Sequence, residues 1–358
     1  MKILIFSDLH LHNWSYGSTV VNGMNSRLMA QADVLNQIAV VSNKVDYIVF
    51  CGDLFHTHGK LDADVLKVAY DGFLSIASTS SCDIDVLVGN HDTNRKDLGV
   101  HSLHWLDSLA IAPDEPRIRV VSEPVHTCLT RWKSPDLKIS ILPYTEDKYT
   151  IKQFFKNAEG ICFMHQGVAN VPMGSGFLID EILTKEMIPD RVQHVFTGHY
   201  HQHNRVSDKL TVIGSTMQHT WNDAGDKRGW LIYDTDSGEI TQHESKAPQF
   251  KHLDMTGLLS LGDPHRHRSD LQLKTSQEVN NNFVRVHNYD TKYVTELRVE
   301  MMEAGARSVE FVQQQEAIKR IDMSGSTGGF HLPTIVESYI KNQGLDEQRI
   351  SIGRDLMK

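Results

Sequence analysis

Seven residues able to hold metal ions fall, in chain order, at the ends of apolar runs. They are Asp8 and His10 in SDLHLH, Asp53 in CGDLFH, Asn90 in GNHD, His165 in FMHQG, and His199 and His201 in TGHYHQH. Carboxylates, imidazoles and one neutral amide in this order make a ligand set for two metal ions, with Asp53 as the shared ligand. Asn90 contributes an oxygen without charge, which keeps the site less negative where it must also accept a phosphate. The GD dipeptide alone is a common turn, so the inference rests on the ordered set of motifs. No spacing rule singles out His12, His58, His101, His104, His194, His203 or His219, which read as ordinary loop or core histidines.

The elements that must position these residues are short apolar strands: KILIFS (2–7), YIVFC (47–51), IDVLVG (84–89), KISILPY (138–144), GICFMH (160–165), HVFTG (194–198), LTVIG (210–214) and GWLIYD (229–234). Nearly continuous apolar strands suit sheets covered on both faces. Helices are predicted over 24–42, 62–78 and 180–186. The pattern defines an α/β layered domain over residues 1–250, with its chemistry at strand ends, where open α/β folds place their sites. Asp8 and His10, two residues apart, point to one side if strand geometry persists.

The texture changes beyond it. Residues 258–281 are polar and turn-rich; then NFVRVHN and RSVEFVQQ alternate like strands around a helix that Asp290 caps and Gly305 stops. Residues 251–321 therefore read as a small β-α-β cap. Residues 322–358 read as a Gly/Ser linker and a helical tail in which Ile335, Val336, Tyr339 and Ile340 form an apolar stripe for a partner.

Composition sets bounds on function. With 358 residues and 40% hydrophobic residues the chain can bury a large core. No apolar run approaches a membrane span and none resembles a signal peptide, so the cytoplasm is the expected compartment. Four cysteines without CxxC spacing predict buried free thiols. A net charge of -9 argues against a protein that coats nucleic acid electrostatically; DNA affinity must come from a local groove or a partner. Arg95, Lys96, Arg131, Lys133, Arg205 and Arg266 are the candidate cations for such a groove.

The ordered motifs DLH, GD, GNHD, MH and GHYH resemble those of the calcineurin-like metallophosphoesterase superfamily. GDLFH and GSTMQHTWND…RGWLIYD are similar, within it, to the SbcD-type nuclease subunit of double-strand-break repair complexes. The resemblance implies a layered sandwich of sheets flanked by helices. It implies one metal held by Asp8, His10, Asp53 and His201 and another by Asp53, Asn90, His165 and His199, with manganese as the ion; the mixed imidazole and oxygen ligands also allow iron or zinc, and magnesium remains possible. It implies that His91 protonates the leaving sugar oxygen, that Asp92 orients the His91 ring and favours its charged form, and that His56 positions the nucleic-acid backbone. It further implies DNA as substrate, a homodimer through 62–78 and the region after Asp97, and a coiled-coil ATPase partner of the SbcC type. Two positions depart from the commonest pattern, Gln166 after the ligand histidine and the missing proline in GSTMQH, and neither is a ligand. A stand-alone phosphodiesterase acting on nucleotides or other phosphoesters would need the same ligands.

Overall fold

The computed structural model describes residues 1–93, 100–109, 118–128, 137–171, 181, 183–255 and 278–312. Two six-stranded mixed sheets form its centre. The first runs in the order Ile240–Glu244, Gly229–Asp234, Lys2–Phe6, Tyr47–Phe50, Ile84–Leu87, Ile118–Val121. The second runs Asn204–Ser207, Leu210–Val212, Val192–Thr197, Gly160–Met164, Lys138–Leu142, Val125–Cys128. In each sheet four adjacent strands are parallel and the antiparallel strands lie at the margins.

The two-residue side-chain period of a strand assigns each residue to a layer. Ile3 and Ile5 face the layer between the sheets, where they meet Val49, Leu87, Ile141, Phe163 and Phe196. Leu4 and Phe6 face the other way, into a layer built with helices Ser26–Ser42 and Ala63–Thr79. Asn25 caps the first helix, its side chain accepting from the backbone N–H groups of Arg27 and Leu28. The outer face of the second sheet buries Cys162 and Met164 against Ile151, Phe154 and Phe155 of helix Lys148–Asn157. Both faces of both sheets are thus covered, as the continuous apolar strands require.

A third, all-parallel sheet joins Phe250–Asp254, Phe283–His287 and Ser308–Phe311. Helix Val294–Glu303 covers one of its faces with Leu297 and Met301, and the preceding turn is capped by Asp290. The strand Phe250–Asp254 straddles the junction expected at residue 250. On its opposite face, Phe250 and Phe283 stack on each other and lie against Tyr16. Trp221 packs edge-on against Phe250, which brings this sheet to the rim of the strand-end cleft.

Two expectations are not met or fall elsewhere. No helix forms over the described part of 180–186: Leu183 pairs with Val168 in a parallel bridge, and only Lys185–Met187 make a single 3₁₀ turn. The Ala169 N–H donates to the Leu183 carbonyl, and Pro189 follows too closely for a longer helix. The linker and tail, with Ile335, Val336, Tyr339 and Ile340, lie outside the described residues. Cys51, Cys82 and Cys162 are buried and free, and Cys128 is exposed. Among the described residues no helix is long and apolar enough to cross a membrane.

Candidate two-metal site

All seven candidate ligands converge at the C-terminal ends of parallel strands from both sheets. Lys2–Phe6 delivers Asp8 and His10, Tyr47–Phe50 delivers Asp53, and Ile84–Leu87 delivers Asn90. Gly160–Met164 delivers His165, and Val192–Thr197 delivers His199 and His201. Strand geometry does not persist past the first strand: Asp8 (φ 54°), His10 (φ 45°), Asp53 (φ 59°) and His199 (φ 83°) all occupy the left-handed region. Each costs on the order of 1–3 kcal/mol and survives only where surrounding bonds over-determine it. Here Asp8 N–H donates to the Gly52 carbonyl at 3.0 Å, His10 N–H to the Asp53 carbonyl at 3.1 Å, and His199 N–H to the Asp8 carboxylate at 3.2 Å.

Two glycines make the approach possible. A Cβ on Gly89 would lie 2.2 Å from Asp53 Oδ1, and one on Gly52 would lie 2.5 Å from His165 Nδ1. These contacts explain the glycines in GD and GNHD in steric terms.

Asp53 divides its two oxygens. Oδ1 accepts the backbone N–H of His91 at 2.9 Å, while Oδ2 lies 3.6 Å from His10 Nε2 and 3.4 Å from His165 Nε2. On one side of Oδ2 stand His10, Asp8 (Oδ1 to His10 Nε2, 3.8 Å) and His201, whose Nε2 is 3.0 Å from His10 Nε2. On the other stand His165, His199 and Asn90, whose Oδ1 is 3.1 Å from His165 Nε2 and 2.8 Å from His199 Nδ1. The structure therefore brings together both sets of donors around one shared oxygen. Asp8–His10–His201 and Asp53–His165–His199 are each close enough to hold one ion.

The donor chemistry fits metal ions. His165 Nδ1 lies 2.6 Å from the Cys51 carbonyl, which can only accept, so Nδ1 carries a proton and Nε2 is the nitrogen that faces the oxygens of Asn90 and Asp53 and would ligate a metal on losing its own proton. These nitrogens and oxygens converge on one point, where a cation would replace the protons they now share. Burial holds His10 well below the usual imidazole range, lowers His201, and lowers His199 to about 4, so these rings are neutral and able to ligate. Burial works against charge on Asp53, but the neighbouring His165 and His10 hold its carboxyl below the usual carboxylate range. Burial would also lower His165, yet Asp53 and Asp8 push it up to about 9, which reports how negative the centre is before a cation neutralises it.

The remaining expected residues divide. His91 is half-buried beside the ligands, its ring 4.7 Å from that of His10, with Nδ1 2.6 Å from the His56 carbonyl. That carbonyl fixes Nδ1 as donor and leaves Nε2 free. The His56 ring lies among Trp14, His12, His10 and His91, and burial lowers its pKa to about 4. Asp92 requires a correction. Its carboxylate does not orient the His91 ring; it accepts the backbone N–H groups of Asp53 (2.9 Å), Leu54 (3.0 Å), Phe55 (3.3 Å) and Gly89 (3.0 Å). It is buried because it replaces water for four donors in two tight loops, and the group that orients His91 is a backbone carbonyl.

Two neighbours of the site carried no sequence signal of their own. His219 and Trp14 line the same cavity, of about 290 Å³, as His10, His56, His199 and His201. His219 lies seven residues past the end of strand Leu210–Val212, too far for a place at a strand end to single it out. Of the candidate cations, only Arg205 lies among the described residues, paired at 4.0 Å with Asp208 on an exposed edge.

The family model described as calcineurin-like phosphoesterase matches residues 1–203, and the chain belongs to that family. A protein of Invertebrate iridescent virus 3 named as a phosphoesterase, 078R, is 29% identical over 189 residues, half of each chain. A second from Invertebrate iridescent virus 6, 244L, is 22% identical over 214 residues, covering 57% of this chain and 69% of the relative. Among solved structures, a dimetal phosphatase from Danio rerio aligns with a TM-score of 0.40 at 12% identity, over 65% of this chain and 91% of that one. A purple acid phosphatase from yellow lupin seeds aligns with a TM-score of 0.37 at 12% identity, over 68% and 52%.

Proposed function

We propose that this chain is a two-metal phosphodiesterase that cleaves DNA: a manganese-dependent nuclease, acting on duplex ends and internally, that works with a coiled-coil ATPase of the SbcC type in recombination, repair or degradation of DNA. The observation that carries the phosphodiester chemistry is the single oxygen, Asp53 Oδ2, standing between two complete donor sets with His91 beside them. Divalent ions bound there supply Lewis-acid charge for the phosphoryl oxygens and lower the pKa of water. The protein does the rest. Asn90 limits the negative charge that a phosphate meets, and the His56 carbonyl holds Nδ1–H so that Nε2 of His91 can give its proton to the leaving oxygen. Asp92 keeps the two loops in register.

The third sheet favours a polymer over a small phosphoester. It packs on Trp221, between the cavity-lining Thr220 and Asn222, and Arg285 lies over that ring at 3.9 Å while pairing with Glu310 at 2.7 Å, with His252 beside the same ring. The Trp221 ring with His252 and Arg285 on it, the arginine's charge shared with Glu310, gives a local aromatic contact for nucleic acid in a chain whose net charge is -9. A homodimer is supported by helix Ala63–Thr79, which leaves Leu66 and Tyr70 exposed beside Trp105. The test compares manganese-dependent release of mononucleotides from linear duplex DNA, with and without the ATPase and ATP, against hydrolysis of bis-p-nitrophenyl phosphate. Hydrolysis of the small diester with DNA left intact would favour the stand-alone phosphodiesterase instead.

A further inference from the structure

We infer that His219 is a positioning residue for the metal held by Asp8, His10 and His201: it donates a hydrogen bond through Nε2–H to the Asp8 backbone carbonyl and so holds the left-handed turn that aims two of those ligands. The inference rests on the two-metal reading and deepens it. His219 Nε2 lies 3.3 Å from the Asp8 carbonyl oxygen. A carbonyl only accepts, so Nε2 carries the proton. Its ring sits edge-on beside two candidate ligands, with centroids 5.5 Å from His10 and 5.6 Å from His201. The bond acts where the backbone is least comfortable, since Asp8 and His10 both have positive φ.

Everything around His219 serves to immobilise it. Its backbone N–H donates to Asp223 Oδ2 at 2.8 Å, and its carbonyl accepts from Arg27 Nη2 at 2.7 Å. Trp14 stacks on its ring at 5.7 Å with 21° between planes. Arg27 is a buried guanidinium whose charge is stabilised by the rings of Trp14, Phe250 and Phe283, the last two from the third sheet. Contact therefore runs from the third sheet through Arg27 and His219 to Asp8. His219 stands outside the groups of donors close enough to hold one ion among the described residues, and its Nε2 is engaged by the Asp8 carbonyl.

Two substitutions separate the hydrogen bond from the packing. His219→Phe keeps a ring on Trp14 and removes the donor; His219→Gln keeps an N–H donor at a similar reach and removes the ring. Binding of Mn²⁺ to the full-length protein, followed by electron paramagnetic resonance and calorimetry, is the readout. Wild type is expected to bind two ions. His219→Phe should weaken one of them by about 10- to 100-fold, the range for partners that orient metal ligands, and leave the other near its wild-type affinity. His219→Gln should restore the weakened ion to within about threefold, well inside that range. Two wild-type affinities in His219→Phe, or equal loss in both variants, overturn the inference. If His219→Phe does not fold, ¹⁵N spectra of wild-type histidines decide instead, because a proton on Nδ1 of His219 excludes the bond to Asp8. Failure of the wild type to bind two ions would count against the two-metal reading and is distinguishable from any of these results.

Discussion

At the scale of single residues, the division of labour within Asn90, His91 and Asp92 shows how neighbours in sequence reach different tasks. Asn90 faces the ligand cluster, His91 sets its ring against that of His10, and Asp92 turns into the protein to collect four backbone N–H groups. Removing His91 should therefore leave metal binding close to normal while turnover falls by roughly 10²- to 10⁴-fold, the usual worth of a general acid. Elemental analysis of His91→Ala tests the first half of that statement and steady-state rates test the second; a loss of bound metal would remove His91 from the proton-transfer role. His56→Ala should impair cleavage of duplex ends more than hydrolysis of bis-p-nitrophenyl phosphate, because the His56 side chain stands among Trp14, His12 and His91 beside the ligands. An equal loss on both substrates would give it a general role instead. The convergence of the candidate ligands is legible in the sequence because metal chemistry restricts residue types and each of these stands at a strand end. The task of Asp92 could not be, because an aspartate next to a histidine looks the same whether it faces the ring or the backbone.

At the scale of elements, the loops after the strands matter more than the strands. Asp92→Ala would leave four buried N–H donors without an acceptor, each costing about 1–3 kcal/mol, and would loosen the loops that carry Asp53 and Asn90 together. A fall of several kcal/mol in unfolding free energy, with weakened binding of both ions, is the expected result; an unchanged denaturation midpoint would contradict it. The strands themselves were legible because alternating burial of Ile3, Leu4, Ile5 and Phe6 needs apolar residues on both faces. The segment 180–186 departs from the expected helix because a pair of apolar residues, Ile182 and Leu183, suits a bridge as well as a helix in sequence, and the pairing of Leu183 with Val168 decides the matter. The first strand of the small sheet, Phe250–Asp254, carries no local sign of its pairing because its partner lies some thirty residues on, at Phe283–His287.

Across the whole molecule, buried neutral histidines link stability to pH. His194 is buried against Phe196 and Tyr233, hydrogen-bonded to Thr211 Oγ1 at 2.9 Å, and burial followed by the charge of Arg205 lowers its pKa to about 4 from 6.5. Because the unfolded chain binds this proton more readily, stability is complete above pH 6.5 and is lost as pH falls toward 4, at about 1.4 kcal/mol per unit. Unfolding free energies measured between pH 7 and 5 should fall less steeply in His194→Gln than in wild type. An identical slope would mean that His194 is protonated in the folded state. Truncation after Gly328 bears on assembly: it should leave metal-dependent diesterase activity intact and abolish co-purification with the ATPase, whereas unchanged affinity for the ATPase would exclude the tail as the docking element.

The central claim is that one carboxylate serves two metal ions, and counting those ions tests it most directly. Elemental analysis after equilibration with manganese should find two ions per chain in wild type and neither in Asp53→Ala, since Asp53 Oδ2 faces both donor sets. Retention of both ions by Asp53→Ala, or a wild-type stoichiometry of one or none, would contradict the account.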